Sequence, residues 1–285
     1  MIILTDPHGN FDTMMALLDI IPQEEKDKGI VICGDLIDRG PKSKEIIQYC
    51  IDNKIQVVRG NHEDMMVDEH LLVVGFMAKT GLLPRGNAGS LWTVNGGYET
   101  LQSYESYDED VLDERGLPTR LFDLETLEEH VEWLKLLPYY WEFPDIKNDE
   151  GRFLVISHSN IGNVWDIRGT NDTKLKERFI NTVAWGRPTK IDDVPEIYNV
   201  IGHTPQEHGP RIRKTYANID TGCFWTRQGD GCGILTALQF PEMIAYEHEN
   251  IDTKIYRDSD EPIKGKLTME DIKERKKKHG MNYEL

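Results

Sequence analysis

Long apolar runs are missing from this chain. The opening stretch Met1-Ile2-Ile3-Leu4 is broken by Asp6, Pro7 and His8, too short for a signal-peptide core or a spanning helix, and no later stretch reaches membrane length. Cysteine is scarce as well. The four in 285 residues (Cys33, Cys50, Cys223 and Cys232) form no CxxC pair, so the expectation is reduced thiols in a cytoplasmic protein rather than a disulfide framework. Basic residues are the third deficit: 33 Lys and Arg stand against 50 Asp and Glu, a net charge of -17. Such a surface repels a polyanion, so duplex nucleic acid is not an expected partner. An anionic substrate would need a local positive patch, and bound metal ions are one way to supply it.

What is present suits a water-exposed α/β domain. A hydrophobic fraction of 39% suffices for a core, while 29% charged residues and a mean hydropathy of -0.52 describe a polar exterior. The length predicts one domain over 1–285, elaborated by insertions. Five short β-rich runs stop abruptly at polar clusters: Ile2-Ile3-Leu4 before Asp6, Ile30-Val31-Ile32 before Gly34-Asp35, Val57-Val58 before Gly60-Asn61-His62, Phe153 to Ile156 before His158, and Val200-Ile201 before Gly202-His203. Buried strands with polar residues just past their carboxyl ends predict a layered α/β sheet with a functional edge. Helical spacing connects them: Phe11, Met14, Met15 and Leu18; Ile46, Ile47 and Cys50; and Leu127, Val131 and Leu134 behind a Thr126 cap.

Residues 79–125 change character, with glycines at 81, 86, 89, 96 and 97 and an acidic stretch from Tyr104 to Glu114; they read as an insertion or cap, part helix and part loop. Tyr198 to His203, Thr215 to Ile219, Cys232 to Leu238 and Met243 to Glu247 read as strands of a second sheet. From about residue 250 a charged extension predicts a surface strand and a C-terminal helix.

Three strand-end clusters carry the chemistry: Asp6-Pro7-His8-Gly9, Gly34-Asp35-Leu36-Ile37-Asp38-Arg39-Gly40 and Gly60-Asn61-His62-Glu63. Each offers oxygen or imidazole donors, and none uses cysteine. Mixed donors of this kind suit Mn²⁺, Fe or Zn²⁺, and the glycines permit close backbone approach. A pair of such ions about 3.5–4 Å apart can share a carboxylate and activate a water against a phosphoryl group. Arg39 and His62 are placed to bind phosphate and to protonate the leaving oxygen. Any one cluster alone reads more simply as a turn or a cap; three at the ends of three consecutive strands do not.

These motifs resemble the phosphoprotein phosphatase family of calcineurin-like metallophosphoesterases, whose pattern runs GDxHG, GDxxDRG, GNHE. Thr5 is the one departure, in place of a glycine that is not a ligand. Ser157-His158-Ser159 and Gly202-His203-Thr204 look like the family's later histidine motifs. Trp92 with Asn95-Gly96-Gly97 and Thr100, and Asn218-Ile219-Asp220-Thr221-Gly222 ahead of Leu235-Thr236-Ala237, are similar to phage lambda-type and bacterial serine/threonine phosphatases. The resemblance implies two mixed β-sheets packed face to face and flanked by helices. It implies two divalent ions, Mn²⁺ by preference, one held by Asp6, His8, Asp35 and His203 and the other by Asp35, Asn61 and His158, with Asp35 bridging. It further implies His62 as general acid oriented by Asp38, phosphate binding by Arg39 and Asn61, and Arg187, in Ala184-Trp185-Gly186-Arg187-Pro188, as a second phosphate-binding arginine.

The activity so implied is phosphomonoester hydrolysis, first on phosphoserine and phosphothreonine in proteins and then on phosphotyrosine, by in-line attack of a bridging hydroxide. Alternatives on the same scaffold are a symmetrical dinucleoside tetraphosphate hydrolase and a cyclic-nucleotide or nucleic-acid-end phosphodiesterase; a non-catalytic binding module is the alternative of another class. Asp38 favours the protein phosphatase, since the dinucleotide-cleaving group commonly lacks it, although some small bacterial relatives that have it also cleave dinucleotides. Cys33 and Arg39 also satisfy C-x5-R, the signature of cysteine-nucleophile phosphatases. Asp35 and Asp38 inside that loop would repel phosphate and raise the thiol pKa, so Cys33 reads as the buried end of a strand. His70, His130, His208, His248 and His279 match no ligand motif.

Overall fold

The computed structural model describes residues 1–84, 90–112, 116–225, 233–253 and 264–281. Gly86, Gly89, Glu114 and Cys232, singled out in the sequence, lie outside them. The opening third is β1 (Ile2–Leu4), α1 (Phe11–Asp19), a short α2 (Gln23–Lys26), β2 (Ile30–Ile32), α3 (Ser43–Asp52), β3 (Gln56–Val57) and α4 (Asn61–Thr80). β1 pairs parallel with β2, and β2 with β3, so all three point their carboxyl ends at one edge.

A helix α5 (Tyr98–Ser103), a hairpin of β4 (Glu105–Leu112) and β5 (Pro118–Phe122), and α6 (Leu124–Lys135) follow. Strands β6 (Tyr140–Lys147) and β7 (Phe153–Ser157), helix α7 (Thr173–Trp185), and strands β8 (Ile197–Ile201), β9 (Arg211–Ile212) and β10 (Tyr216–Asn218) come next. The chain closes with β11 (Ile234–Gln239), β12 (Ile244–Glu249), β13 (Lys264–Leu267) and α8 (Met269–Lys278). One sheet runs β13-β12-β11-β1-β2-β3 and the other β6-β7-β8-β10-β9.

The strand period of two builds the layers. Ile2, Leu4 and Ile32 face the helices, packing with Met14, Leu17, Ile46, Ile47, Met66 and Leu127. Ile3 and Val31 face the other way, against Leu154, Ile156, Val200 and Ala217 of the second sheet. Val155 points outward from that sheet and packs with Phe179 and Val183 of α7. The order is helix, sheet, sheet, helix, the α/β architecture of two packed mixed sheets that the motifs implied.

Three expectations change. The strands at 234–239 and 244–249 belong to the first sheet, because β11 pairs antiparallel with β1 (Ile3 opposite Leu238) and extends it away from β2. Asp123, not Thr126, caps α6: its carboxylate accepts from the Thr126 N–H. Within 79–125 the chain forms a β-hairpin as well as helix and loop, and its segment 92–100 is packed into the site rather than laid over it. The charged C-terminal segment does supply a strand, paired to β12, and a helix whose Ile272 is buried.

Candidate active site

Strand register sets the geometry. Leu4 lies opposite Ile32, and Ile32 opposite Val57, so the loops that follow leave the sheet side by side. Their backbones then bond across the gap: Asp6 N–H to Gly34 O (3.2 Å), His8 N–H to Asp35 O (3.0 Å) and Gly9 N–H to Leu36 O (2.8 Å). A side chain at Gly60 would collide with the Asp35 backbone nitrogen at 2.7 Å, which is why the third loop can approach only as glycine. β7 and β8, also parallel, bring His158 and His203 to the same edge from the second sheet.

The backbone here is strained. Asp6, His8, Asp35, Asp38, Arg39 and His203 adopt φ between 45° and 73°, six of the nine non-glycine residues with positive φ among the described residues. Each such conformation costs on the order of 1–3 kcal/mol, and its concentration at one edge marks a functional site.

Asp35 is the centre. Its Oδ2 lies 3.6 Å from His8 Nε2 and 3.9 Å from His62 Nε2, while Oδ1 lies 3.3 Å from His158 Nε2. His158 Nε2 is in turn 3.0 Å from Asn61 Oδ1 and 3.1 Å from His203 Nδ1. His8 Nδ1 and His158 Nδ1 each donate to a carbonyl, of Ile37 and Cys33 (both 2.8 Å), which aims both Nε2 atoms inward. Among the described residues His8, Asp35 and His62, and Asp35, His158 and His203, form two buried groups whose ligand atoms lie within 4.8 Å of one another.

The sequence placed His203 with Asp6 and His8. Its imidazole instead joins the His158 and Asn61 side, and only its main-chain N–H meets the Asp6 carboxylate, at 3.2 Å. The Thr5 hydroxyl donates to Asp6 Oδ2, so the one departure from the family motif steadies a candidate ligand. Arg39, half-buried, donates from Nη1 to His8 Nε2 (2.7 Å) and lays its guanidinium 3.9 Å over the Phe224 ring. Arg187 is exposed near His203.

His62 Nδ1 lies 2.6 Å from Asp38 Oδ2, and the other Asp38 oxygen accepts from Trp92 Nε1 (2.9 Å) and Thr100 Oγ1 (2.7 Å). The Asp38 N–H donates to Ser43 and Thr100 hydroxyls. Sequence reasoning assigned no such part to Trp92, Thr100, Ser43 or Phe224. It also missed Glu63, whose carboxylate accepts from the N–H groups of Asp35, Leu36 and Gly60 and so pins two loops together. The spacing of Glu63 three residues after Gly60 at a helix start is a capping-box signal that could have found it.

Electrostatics follow from burial. Burial, with Arg39 and His62 behind it, holds His8 well below the usual imidazole range, and burial with His158 brings His203 down to about 3. Both are neutral lone-pair donors. Burial opposes ionisation of Asp35, but the imidazoles of His158 and His62, the first also hydrogen-bonded to it, outweigh burial and hold the carboxyl well below its usual value. Burial also works against charge on His158, yet Asp35 raises it to about 10. Cys33 is pushed well above the usual thiol range by burial and by Asp6, so it is no thiolate.

The sequence profile of calcineurin-like phosphoesterases matches residues 1–207. The chain belongs to that family. Its metallophosphoesterase membership makes it a hydrolase of phosphate esters, and the family works with divalent metals. Across 274 residues it is 28% identical to the asymmetrical bis(5'-nucleosyl)-tetraphosphatase of Bacillus velezensis, covering 88% of this chain and 91% of that one. A Geobacillus thermodenitrificans protein of the same description is 31% identical over 265 residues, 85% of this chain and 90% of its own. The symmetrical bis(5'-nucleosyl)-tetraphosphatase of Neisseria meningitidis is 42% identical, over 73 residues and 25% of each chain. No helix among the described residues is long and apolar enough to cross a membrane.

The donor set fits divalent ions. Asn61 Oδ1, Asp35 Oδ1 and His203 Nδ1 all converge on His158 Nε2, whose single proton cannot satisfy three acceptors, and a cation that displaces that proton resolves such a cluster.

Proposed function

We propose that this chain hydrolyses dinucleoside polyphosphates, splitting diadenosine tetraphosphate asymmetrically into ATP and AMP. The observation that carries the substrate is similarity, over nine-tenths of their length, to bis(5'-nucleosyl)-tetraphosphatases of the asymmetrical kind, whereas the symmetrical kind matches over 73 residues. Asp38 had favoured a phosphoprotein. In the structure it is spent on His62, Trp92 and Thr100, so its presence speaks to the alignment of an acid and not to the identity of the substrate.

In this reading Asp6, His8 and Asp35 would hold one cation, and Asp35, Asn61, His158 and His203 the other. When bound, the pair supplies Lewis acidity and a water of lowered pKa. Glu63 and the Ile37 and Cys33 carbonyls fix the orientation of these ligands. Arg39, its guanidinium braced on Phe224, binds phosphate oxygens together with Arg187. His62, held through Nδ1 by Asp38, presents Nε2 toward the centre and gives its proton to the leaving oxygen.

The test is kcat/KM measured side by side for diadenosine tetraphosphate, a phosphoserine peptide and a 2′,3′-cyclic nucleotide, with Mn²⁺ supplied. The expected result is a preference for the dinucleotide of about tenfold or more, with ATP and AMP as products. A preference for the phosphopeptide, or ADP as sole product, overturns the substrate assignment.

A further inference from the structure

A recess of about 140 Å³ adjoins the site. Its wall comes from residues flanking two candidate ligands: Ser159 follows His158, while Gly202 and Thr204 bracket His203. Arg187 lines it on one side and Arg211, on β9, on another. Both arginines are exposed, and neither makes a side-chain hydrogen bond or an ion pair among the described residues. In a chain with 50 acidic residues against 33 basic ones, two guanidiniums left unpaired on one recess are unexpected. Positive charge continues beyond them: Arg211 and Arg213 lie close enough to Lys276 of α8 to add to burial in bringing its ammonium down to about 8. The volume decides what can enter. It falls below the roughly 300–1,000 Å³ of small-molecule pockets and exceeds the roughly 30 Å³ share of a single water several times over. Phosphate groups fit where a nucleoside does not.

We propose that this recess is a second phosphate subsite, in which Arg211 receives the non-scissile phosphates of a polyphosphate chain that Arg187 guides away from the reacting phosphoryl group. The inference rests on the dinucleoside polyphosphate reading and gives it a structural basis for preferring polyphosphates over monoesters. A guanidinium contributes charge-assisted hydrogen bonds to each phosphate it meets, and those from Arg211 are not available to a monoester, whose single phosphate stays at the reacting centre.

The experiment compares inorganic phosphate with pyrophosphate as competitive inhibitors of p-nitrophenyl phosphate hydrolysis, with Mn²⁺ in excess of both. Wild-type protein is expected to bind pyrophosphate about tenfold more tightly than phosphate. Arg211→Met should bring that ratio close to one, and Arg211→Lys should keep part of it, while thermal melting stays at the wild-type value because Arg211 is exposed. A ratio unchanged in Arg211→Met, or no preference in the wild type, overturns the subsite. Diadenosine tetraphosphate turnover, measured on the same samples, separates the two claims. Loss of the inhibitor ratio in a protein that does not cleave the dinucleotide upholds the subsite and refutes the proposed substrate. Cleavage by the wild type with an Arg211-independent ratio does the reverse.

Discussion

Replacing Thr100 by valine tests how the acid is aligned. The side chain is fully buried and the substitution replaces its hydroxyl by a methyl group, so the change centres on the hydrogen bonds that hydroxyl makes. Its hydroxyl donates to Asp38 Oδ1 at 2.7 Å, accepts from the Asp38 N–H at 2.9 Å and meets Ser43 Oγ at 3.0 Å. Trp92 Nε1 still serves the carboxylate and Ser43 still serves the N–H, so one charge-assisted bond is lost without a substitute. Such a bond is worth about 1.5–3 kcal/mol. A drop of about 2 kcal/mol should lower the melting temperature by roughly 4–8 °C. Asp38 then holds His62 less firmly, and kcat on a phosphoserine peptide should fall about tenfold with KM and metal content near wild type. Melting curves, steady-state kinetics and metal analysis on one preparation make the assay. Wild-type stability together with wild-type kcat would refute the argument that segment 92–100 positions the acid.

His62→Asn should retain both metals and lower kcat on an alkyl phosphate by about 10²–10⁴-fold. The loss should be smaller for p-nitrophenyl phosphate and for diadenosine tetraphosphate, whose leaving oxygens need a proton less; equal losses on all three substrates would show that His62 acts through binding. Cys33→Ser should keep its activity, since the thiol is buried and raised well above its usual range by burial and Asp6; a folded, metal-loaded but inactive variant would revive the cysteine mechanism. His130 gives a pH prediction away from the site. Burial, with Lys44 adding to it, lowers His130 from 6.5 to about 4. Its neutral ring accepts from Tyr104 OH and donates to Gln48 Oε1. A folded value below the unfolded one means that its contribution is complete above pH 6.5 and is lost as pH falls toward 4, by up to about 3 kcal/mol. Denaturant midpoints of His130→Gln should therefore fall less steeply across that window, and parallel curves for the two proteins would contradict the assignment.

The edge that carries the candidate site was legible because the chain writes it locally. Continuous apolar runs of two to four residues end shortly before Asp6, Asp35, Asn61, His158 and His203, and strand polarity carries all five to one side. What escaped depends on contacts distant in sequence. Trp92 and Thr100 reach Asp38 across 54 and 62 positions, from a glycine-containing stretch that reads as loop. The pairing of β11 with β1 leaves no trace in either strand, since a buried strand has the same composition in either sheet. Asp123 and Thr126 are both capping residue types, and only the tertiary entry angle of the chain chooses between them. The grouping of His203 with His158 was likewise set by how the two sheets meet, which motif order does not encode.

The central claim is that the ligands converging on Asp35 hold metal and carry phosphoester hydrolysis together. Its most direct test is Asp35→Asn, with metal content by inductively coupled plasma mass spectrometry and p-nitrophenyl phosphate turnover measured on the same sample. Because Asp35 contributes one oxygen toward His8 and His62 and the other toward His158, the account predicts that bound metal falls and turnover is lost in step. A folded Asp35→Asn protein with full metal content and near-normal turnover would contradict it.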